Sequence, residues 1–170
     1  MRKFLLTIAF LGGISLVASA QERGKLSIGI DAGALVGDAS NVSSIAIGGS
    51  LKYDHPIAQQ LFFSLSGGYT YLPYKNDVKV ASLGYGVNQS GEGFIPLKAG
   101  IKYMFNDMFY GEGQVGAAIS TESGGGTAFA YAPGVGLKFA NAVDLGVRYE
   151  GWSKNRGTIS QFALRLAYQF

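Results

Sequence analysis

The sequence predicts an all-β protein, an eight-stranded antiparallel up-and-down transmembrane β-barrel. Three observations carry that reading. Large apolar side chains recur at every second position through eight successive segments. The positions between them are mostly Gly, Ala and Ser, with sparse charges. The links between segments alternate in length, as in barrels that cross a membrane. Composition agrees: 26 Gly, 10 Tyr and 11 Phe stand against 4 Pro and 15% charged residues, and no segment is low-complexity.

The first twenty residues stand outside this pattern. Arg2 and Lys3 form a short positive region, residues 4–17 are largely apolar, and Ala18-Ser19-Ala20 is a small-residue cleavage pattern. Residues 1–20 therefore read as a cleaved secretory signal peptide, and 21–170 as one barrel domain. The apolar run is short for a spanning helix, which needs about 20 residues. Without Arg2 and Lys3, the 14 basic residues become 12 against 11 acidic ones. No basic run or basic helix marks a nucleic-acid partner.

The eight strands follow in order. In 26–35, Leu26, Ile28, Ile30, Ala32 and Ala34 oppose Ser27, Gly29, Asp31 and Gly33. In 44–53, Ile45, Ile47, Leu51 and Tyr53 oppose Ala46, Gly48, Ser50 and Lys52. In 61–72, Leu61, Phe63, Leu65, Tyr69 and Tyr71 oppose Ser64, Ser66, Gly68 and Thr70. In 94–105, Ile95, Leu97, Ala99, Ile101, Tyr103 and Phe105 oppose Lys98, Gly100 and Lys102. In 108–119, Phe109, Val115 and Ile119 oppose Tyr110, Glu112 and Gln114. In 128–139, Phe129, Tyr131, Val135, Leu137 and Phe139 oppose Ala130, Gly134, Gly136 and Lys138. In 143–152, Val143, Leu145, Val147 and Tyr149 oppose Asp144, Gly146, Arg148 and Glu150. The last, 160–170, carries Phe162, Leu164, Leu166, Tyr168 and Phe170 on one face.

Alternation alone leaves open which face is inside, because a soluble barrel puts the apolar face inward. The face of small residues suits a narrow eight-strand interior. Aromatics gather at both strand ends of the apolar face, around an aliphatic middle, as two membrane interfaces require. The charges share the other phase: Asp31, Lys52, Lys98, Lys102, Glu112, Lys138, Asp144, Arg148, Glu150 and Arg165. In lipid, a midplane Lys or Arg would cost about 2–4 kcal/mol; inside, opposite charges pair. The expected arrangement is an interior polar network of structural role, with outer-membrane lipid as the partner of the apolar face. A soluble periplasmic carrier with the faces exchanged is the inverse arrangement.

The short links are 55–60, 106–107 and 140–142; the longer ones are 36–43, 73–93, 120–127 and 153–157. An even strand count then puts both termini on the short-turn side, expected to be periplasmic. The long links are where an extracellular partner would bind.

Candidate chemistry is thin. There is no cysteine, so disulfides and thiolate metal sites are excluded. His55 is the single histidine, expected in a His-Pro turn on the short-turn side, away from any base–serine arrangement. Ser123-Gly124-Gly125-Gly126 lacks the Lys-Ser/Thr of a phosphate loop. No catalytic, cofactor-binding or metal-binding residue is predicted, and no cofactor. The expected function is non-enzymatic: structural, or binding through external loops. The alternative is a narrow porin-class channel, in which six basic against four acidic interior residues would slightly favour anions.

The stretches IPLKAGIKYMF, FAYAPGVGLKF and FALRLAYQF resemble recurrent strands of the small bacterial outer-membrane β-barrels. That family includes outer-membrane protein X, opacity-type and PorT-like barrels, and the membrane domain of outer-membrane protein A. The resemblance covers all of 21–170 and implies a Gram-negative outer membrane; the family shares no catalytic residues. The ending, with Phe162, Leu164, Leu166, Tyr168 and Phe170, also resembles the C-terminal signal read by the barrel-assembly machinery. That machinery is thus a partner implied by resemblance.

Overall fold

A computed structural model of the chain describes residues 24–75, 90–122, 124–139, 142–155 and 157–170. The expected signal peptide, most of the 73–93 link, Ser123 and Asn141 lie outside the described residues. Eight strands follow one another: β1 (Lys25–Val36), β2 (Ile45–Ala58), β3 (Leu61–Pro73), β4 (Gly91–Met104), β5 (Phe109–Ser120), β6 (Thr127–Phe139), β7 (Val143–Lys154) and β8 (Gly157–Gln169). Each pairs antiparallel with its neighbour in the chain, and β1 pairs with β8 to close the barrel. Closure leaves no sheet edge, so every strand finds backbone partners on both sides.

The closing seam explains the chain's alternating end. Phe162, Leu164, Leu166 and Tyr168 stand opposite Ala34, Ala32, Ile30 and Ile28 of β1. All eight side chains face outward and are exposed. Between them, Gln161, Ala163, Arg165, Ala167 and Gln169 are buried. The same inversion holds around the wall. The large apolar side chains buried among the described residues are Leu35, Leu72, Phe94, Tyr110 and Trp152, while the exposed ones run through every strand, up to 67% for Ile30. A water-soluble core would reverse this distribution.

Two local expectations are corrected. The periodicity predicts β2 over 44–53, with His55-Pro56 in a turn. The strand instead continues to Ala58, and the turn is Gln59-Gln60. A register shift between Pro56 and Ala58 accommodates the proline, which cannot donate to the ladder. The link expected over 153–157 is only the two residues between Lys154 and Gly157. Asn155 there has φ 53°, the left-handed conformation that two-residue hairpin turns need and Asn tolerates. The loops at that end are thus unequal: 37–44 with a 3-10 turn at Gly37–Asn41, the 74–90 link, 121–126, and this tight hairpin.

Small residues on the inner face let the wall close tightly. A Cβ on Gly100 would fall against the Gly113 carbonyl oxygen, and one on Gly116 against that of Leu97. On the outside, the Tyr131 ring covers Gly151, and Tyr69 and Tyr71 cover Gly93 and Gly91. Aromatic cover of strand glycines restores packing that glycine cannot supply. Tyr131 and Tyr149 (6.2 Å between ring centroids) and Tyr149 and Phe162 (5.4 Å) extend a ring of aromatics at the long-loop end. Tyr103–Phe105 and Tyr168–Phe170 mark the short-turn end.

Candidate functional site

The lumen is built in layers. Strand alternation turns Asp31, Lys52, Lys98, Lys102, Glu112, Lys138, Asp144, Arg148, Glu150 and Arg165 inward from seven of the eight strands. The remaining strand, β3, contributes Ser64, Ser66 and Thr70. Nearest the short turns, Lys102 lies 2.9 Å from Asp144 and 3.2 Å from Asp54. Tyr110 donates its hydroxyl to Asp144 at 2.6 Å, and Ser64 donates to Asp54 at 2.6 Å. The Lys102 ammonium also sits 3.8 Å from the Tyr110 ring centroid, within cation–π range. Beside this group, Lys52 pairs with Glu112 at 2.9 Å.

Further along the axis, Arg148 bridges Asp31 (2.9 Å) and Glu150 (2.7 Å). Lys98 reaches the same Glu150 at 2.5 Å. Arg165 has no carboxylate within 4.0 Å among the described residues; it donates to Ser50 and Ser27, and Ser50 passes a hydrogen bond on to Asp31. Of the six ion pairs among the described residues, five join strands that are not neighbours: β4 to β2 and β7, β2 to β5, and β7 to β1. They therefore cross the bore.

At the long-loop end the lumen turns apolar. Leu35, Leu72, Phe94 and Trp152 pack together with Ala46, Ala118, Ala128 and Ala130, and with Ala39 of the first loop. The Phe94 and Trp152 rings lie 4.8 Å apart. Trp152 joins the two layers, because its Nε1–H donates to Glu150 at 2.9 Å while its ring fills the cap. Between the ionic groups lie polar cavities of about 40 and 20 Å³, touching Lys52, Glu112, Gln114, Arg148 and Arg165. Each has room for one water or a few, not for a molecular solute.

The lumen residues absent from the sequence-derived set include Asp54 and the apolar cap residues Leu35, Leu72, Phe94 and Trp152. Asp54 lies beyond the 44–53 span that the periodicity predicts for β2, although it continues the phase of Ser50 and Lys52. Leu35, Leu72, Phe94 and Trp152 are apolar residues in the phase of the small polar face. With Asp54 added, the sequence-derived set holds six basic and five acidic groups, so its excess of two shrinks to one. Lys138 is half-buried and makes no ion pair among the described residues. His55 stands exposed on the outer wall, 3.5 Å from the Tyr53 hydroxyl. No cluster of three His, Cys, Asp or Glu side chains suited to a metal occurs among the described residues.

No protein-family model matches the chain, and no curated protein sequence matches it significantly. Solved structures do match. The attachment invasion locus protein Ail of Yersinia pestis is similar at TM-score 0.60 and 18% identity, over 87% of this chain and 98% of that one. The outer-membrane enzyme PagL is similar at TM-score 0.58 and 19% identity, over 85% and 98%. Neisserial surface protein A is similar at TM-score 0.54 and 13% identity, over 86% and 95%. The chain thus has the closed, eight-stranded, all-antiparallel fold of the small outer-membrane β-barrels.

Proposed function

We propose that the protein is a non-enzymatic integral barrel of a Gram-negative outer membrane, structural or binding through its long loops. In this reading both termini face the periplasm, an N-terminal signal directs export, and the aromatic-ended β8 engages the barrel-assembly machinery. The observation that supports it best is the filled lumen: cross-barrel ion pairs below an apolar cap. An eight-strand bore filled by side chains leaves no wide aqueous path. The fold by itself leaves the activity open, because Ail is named for attachment and PagL for catalysis. Against catalysis here stands the chain's one histidine, which sits on the outer wall beside a tyrosine, with no serine hydrogen-bonded to it among the described residues.

The experiment is fractionation followed by a detergent gel, boiled and unboiled, and then planar-bilayer recording. The expected result is an outer-membrane band with a heat-dependent shift and no steady conductance. Steady conductance would replace this reading with the narrow channel; recovery only in the soluble periplasm would overturn the membrane placement itself.

Leu164→Arg tests the lipid-facing wall separately. Leu164 lies near the middle of β8 and is exposed. In a bilayer, the arginine is expected to lower stability by about 2–4 kcal/mol in urea titrations from lipid vesicles. On a water-facing surface the same change would shift stability by roughly 0.5 kcal/mol or less.

A further inference from the structure

One buried cation of the bore has no carboxylate. Lys52, Lys98, Lys102 and Arg148 each form at least one ion pair. Arg165, only 5% exposed, forms none among the described residues. Asp31 stands opposite it across β1 and β8, but both its oxygens are engaged elsewhere. Oδ1 lies 2.9 Å from Arg148, and Oδ2 accepts from Ser50 at 2.6 Å. Arg165 instead donates through Nε to Ser50 at 2.9 Å and through Nη2 to Ser27 at 3.2 Å. Its Nη1 is buried with no hydrogen-bond partner among the described residues. A buried cation without a counter-charge and an unmade hydrogen bond are both costly.

A second donor is left over around the same space. Gln114 on β5 is 6% exposed. Its Oε1 accepts from Ser66 at 3.3 Å, and its Nε2 has no partner among the described residues. Arg165 and Gln114 both line the cavity of about 40 Å³ and the one of about 20 Å³. The wall of the larger carries four cationic side chains, Lys52, Lys98, Arg148 and Arg165, against two acidic ones, Asp31 and Glu112. Glu150, which neutralises Lys98 and Arg148, stands outside that wall. The space is therefore bordered by an excess of positive charge and by two side chains with unpartnered N–H groups. Glu112 brings one acceptor: its Oε2 meets Lys52, and its Oε1 is unpartnered.

Water can cap these groups, but it leaves Arg165 without a counter-charge. Size decides which anion can supply one. The larger cavity, at about 40 Å³, exceeds the roughly 10–15 Å³ that one water needs, and leaves no room for a phosphate or carboxylate compound. A monatomic halide carries one negative charge and accepts from several donors at once. We propose that the larger lumen cavity is a halide site, in which a chloride ion accepts from Arg165 Nη1 and Gln114 Nε2, with Lys52 in the same wall. A water sharing the cavity donates to Glu112 Oε1, which a halide cannot do. The apolar cap lies beyond this space on one side and the Lys102 group on the other, so the ion enters as the barrel folds. The site is independent of whether the barrel conducts.

Refolding is the test, because it loads the site. The protein is refolded into phosphatidylcholine vesicles in sodium gluconate, whose anion is too large for the cavity. Chloride then replaces gluconate stepwise at constant ionic strength. The urea midpoint is expected to rise with chloride along a one-site curve. Above the dissociation constant, each tenfold step in chloride raises the folding equilibrium constant about tenfold. Bromide is expected to act likewise. Gln114→Glu supplies a carboxylate at the cavity, and Arg165→Met removes the unpaired charge; each is expected to abolish the response. Heat-dependent gel mobility confirms that each variant has formed the barrel. In crystals of bromide-refolded protein, an anomalous peak is expected between Arg165 and Gln114. Equal midpoints in chloride and gluconate would mean that water alone fills the cavity, and would overturn the site. So would a chloride response undiminished in both variants, the mark of a general salt effect, or bromide peaks found only outside the lumen.

Discussion

Replacing Glu150 by Gln is expected to destabilise the barrel by about 3–5 kcal/mol, read as a lower urea midpoint for unfolding from vesicles. Glu150 is 1% exposed and its two oxygens serve three donors: Lys98 and Trp152 on one, Arg148 on the other. Gln keeps the volume but removes the charge. Lys98, itself buried, would then have no carboxylate, whereas Arg148 would keep Asp31. The penalty is the cost of a stranded buried cation, not the net worth of the pair. The double variant Lys98→Met, Glu150→Leu therefore provides the decisive comparison. It removes both charges and fills the space, so it is expected to lose less stability than Glu150→Gln alone. A double variant less stable than the single one would show that the pair itself, and not the avoidance of an unpaired lysine, holds β4 to β7.

Much of this architecture was legible in the sequence, because period-2 alternation acts twice in a barrel. It fixes which side chains face inward, and it fixes strand existence through eight repeats. The inward phase of Asp31, Lys52, Lys98 and Arg148 could be read directly. Their partners could not, because partnership across a bore depends on strand stagger and tilt. Alternation gives no hint that Glu150 on β7 meets Lys98 on β4. Asp54 went unseen for a different reason. The His55-Pro56 dipeptide looks like a turn, and the signal that outweighs it, a bulge next to a true Gln59-Gln60 turn, is a tertiary accommodation. The cap was hidden by the rule that exposed the wall. Once apolar residues are assigned to lipid, Leu35, Leu72, Phe94 and Trp152 look like ragged strand ends. Each nonetheless keeps the inward phase of its strand, in step with Gly33, Thr70, Lys98 and Glu150. Four large apolar residues in the wrong phase at the same end of four strands are a readable sign of an interior plug.

Trp152 makes the layered lumen measurable, because it is the chain's one tryptophan. Its ring is 2% exposed, against Phe94 and inside the wall. Fluorescence of the protein in vesicles is expected to be blue-shifted and poorly quenched by aqueous acrylamide. It is also expected to be poorly quenched by lipids brominated in their chains, since the wall separates the indole from the bilayer. Only an interior apolar site gives both kinds of protection. Strong quenching by brominated lipid would mean that Trp152 faces outward. A one-residue slip of β7 does this, and it would turn Asp144, Arg148 and Glu150 to lipid as well. Phe94→Ala then tests the cap. Removing the ring against Trp152 is expected to cost about 3–5 kcal/mol, and the cavity opens towards the long-loop end and the Glu150 carboxylate. Emission should shift to the red and acrylamide quenching should rise, while protection from brominated lipid persists. Stability lost without any rise in acrylamide quenching would mean that the neighbouring Leu35 and Leu72 collapse into the gap and keep the seal closed.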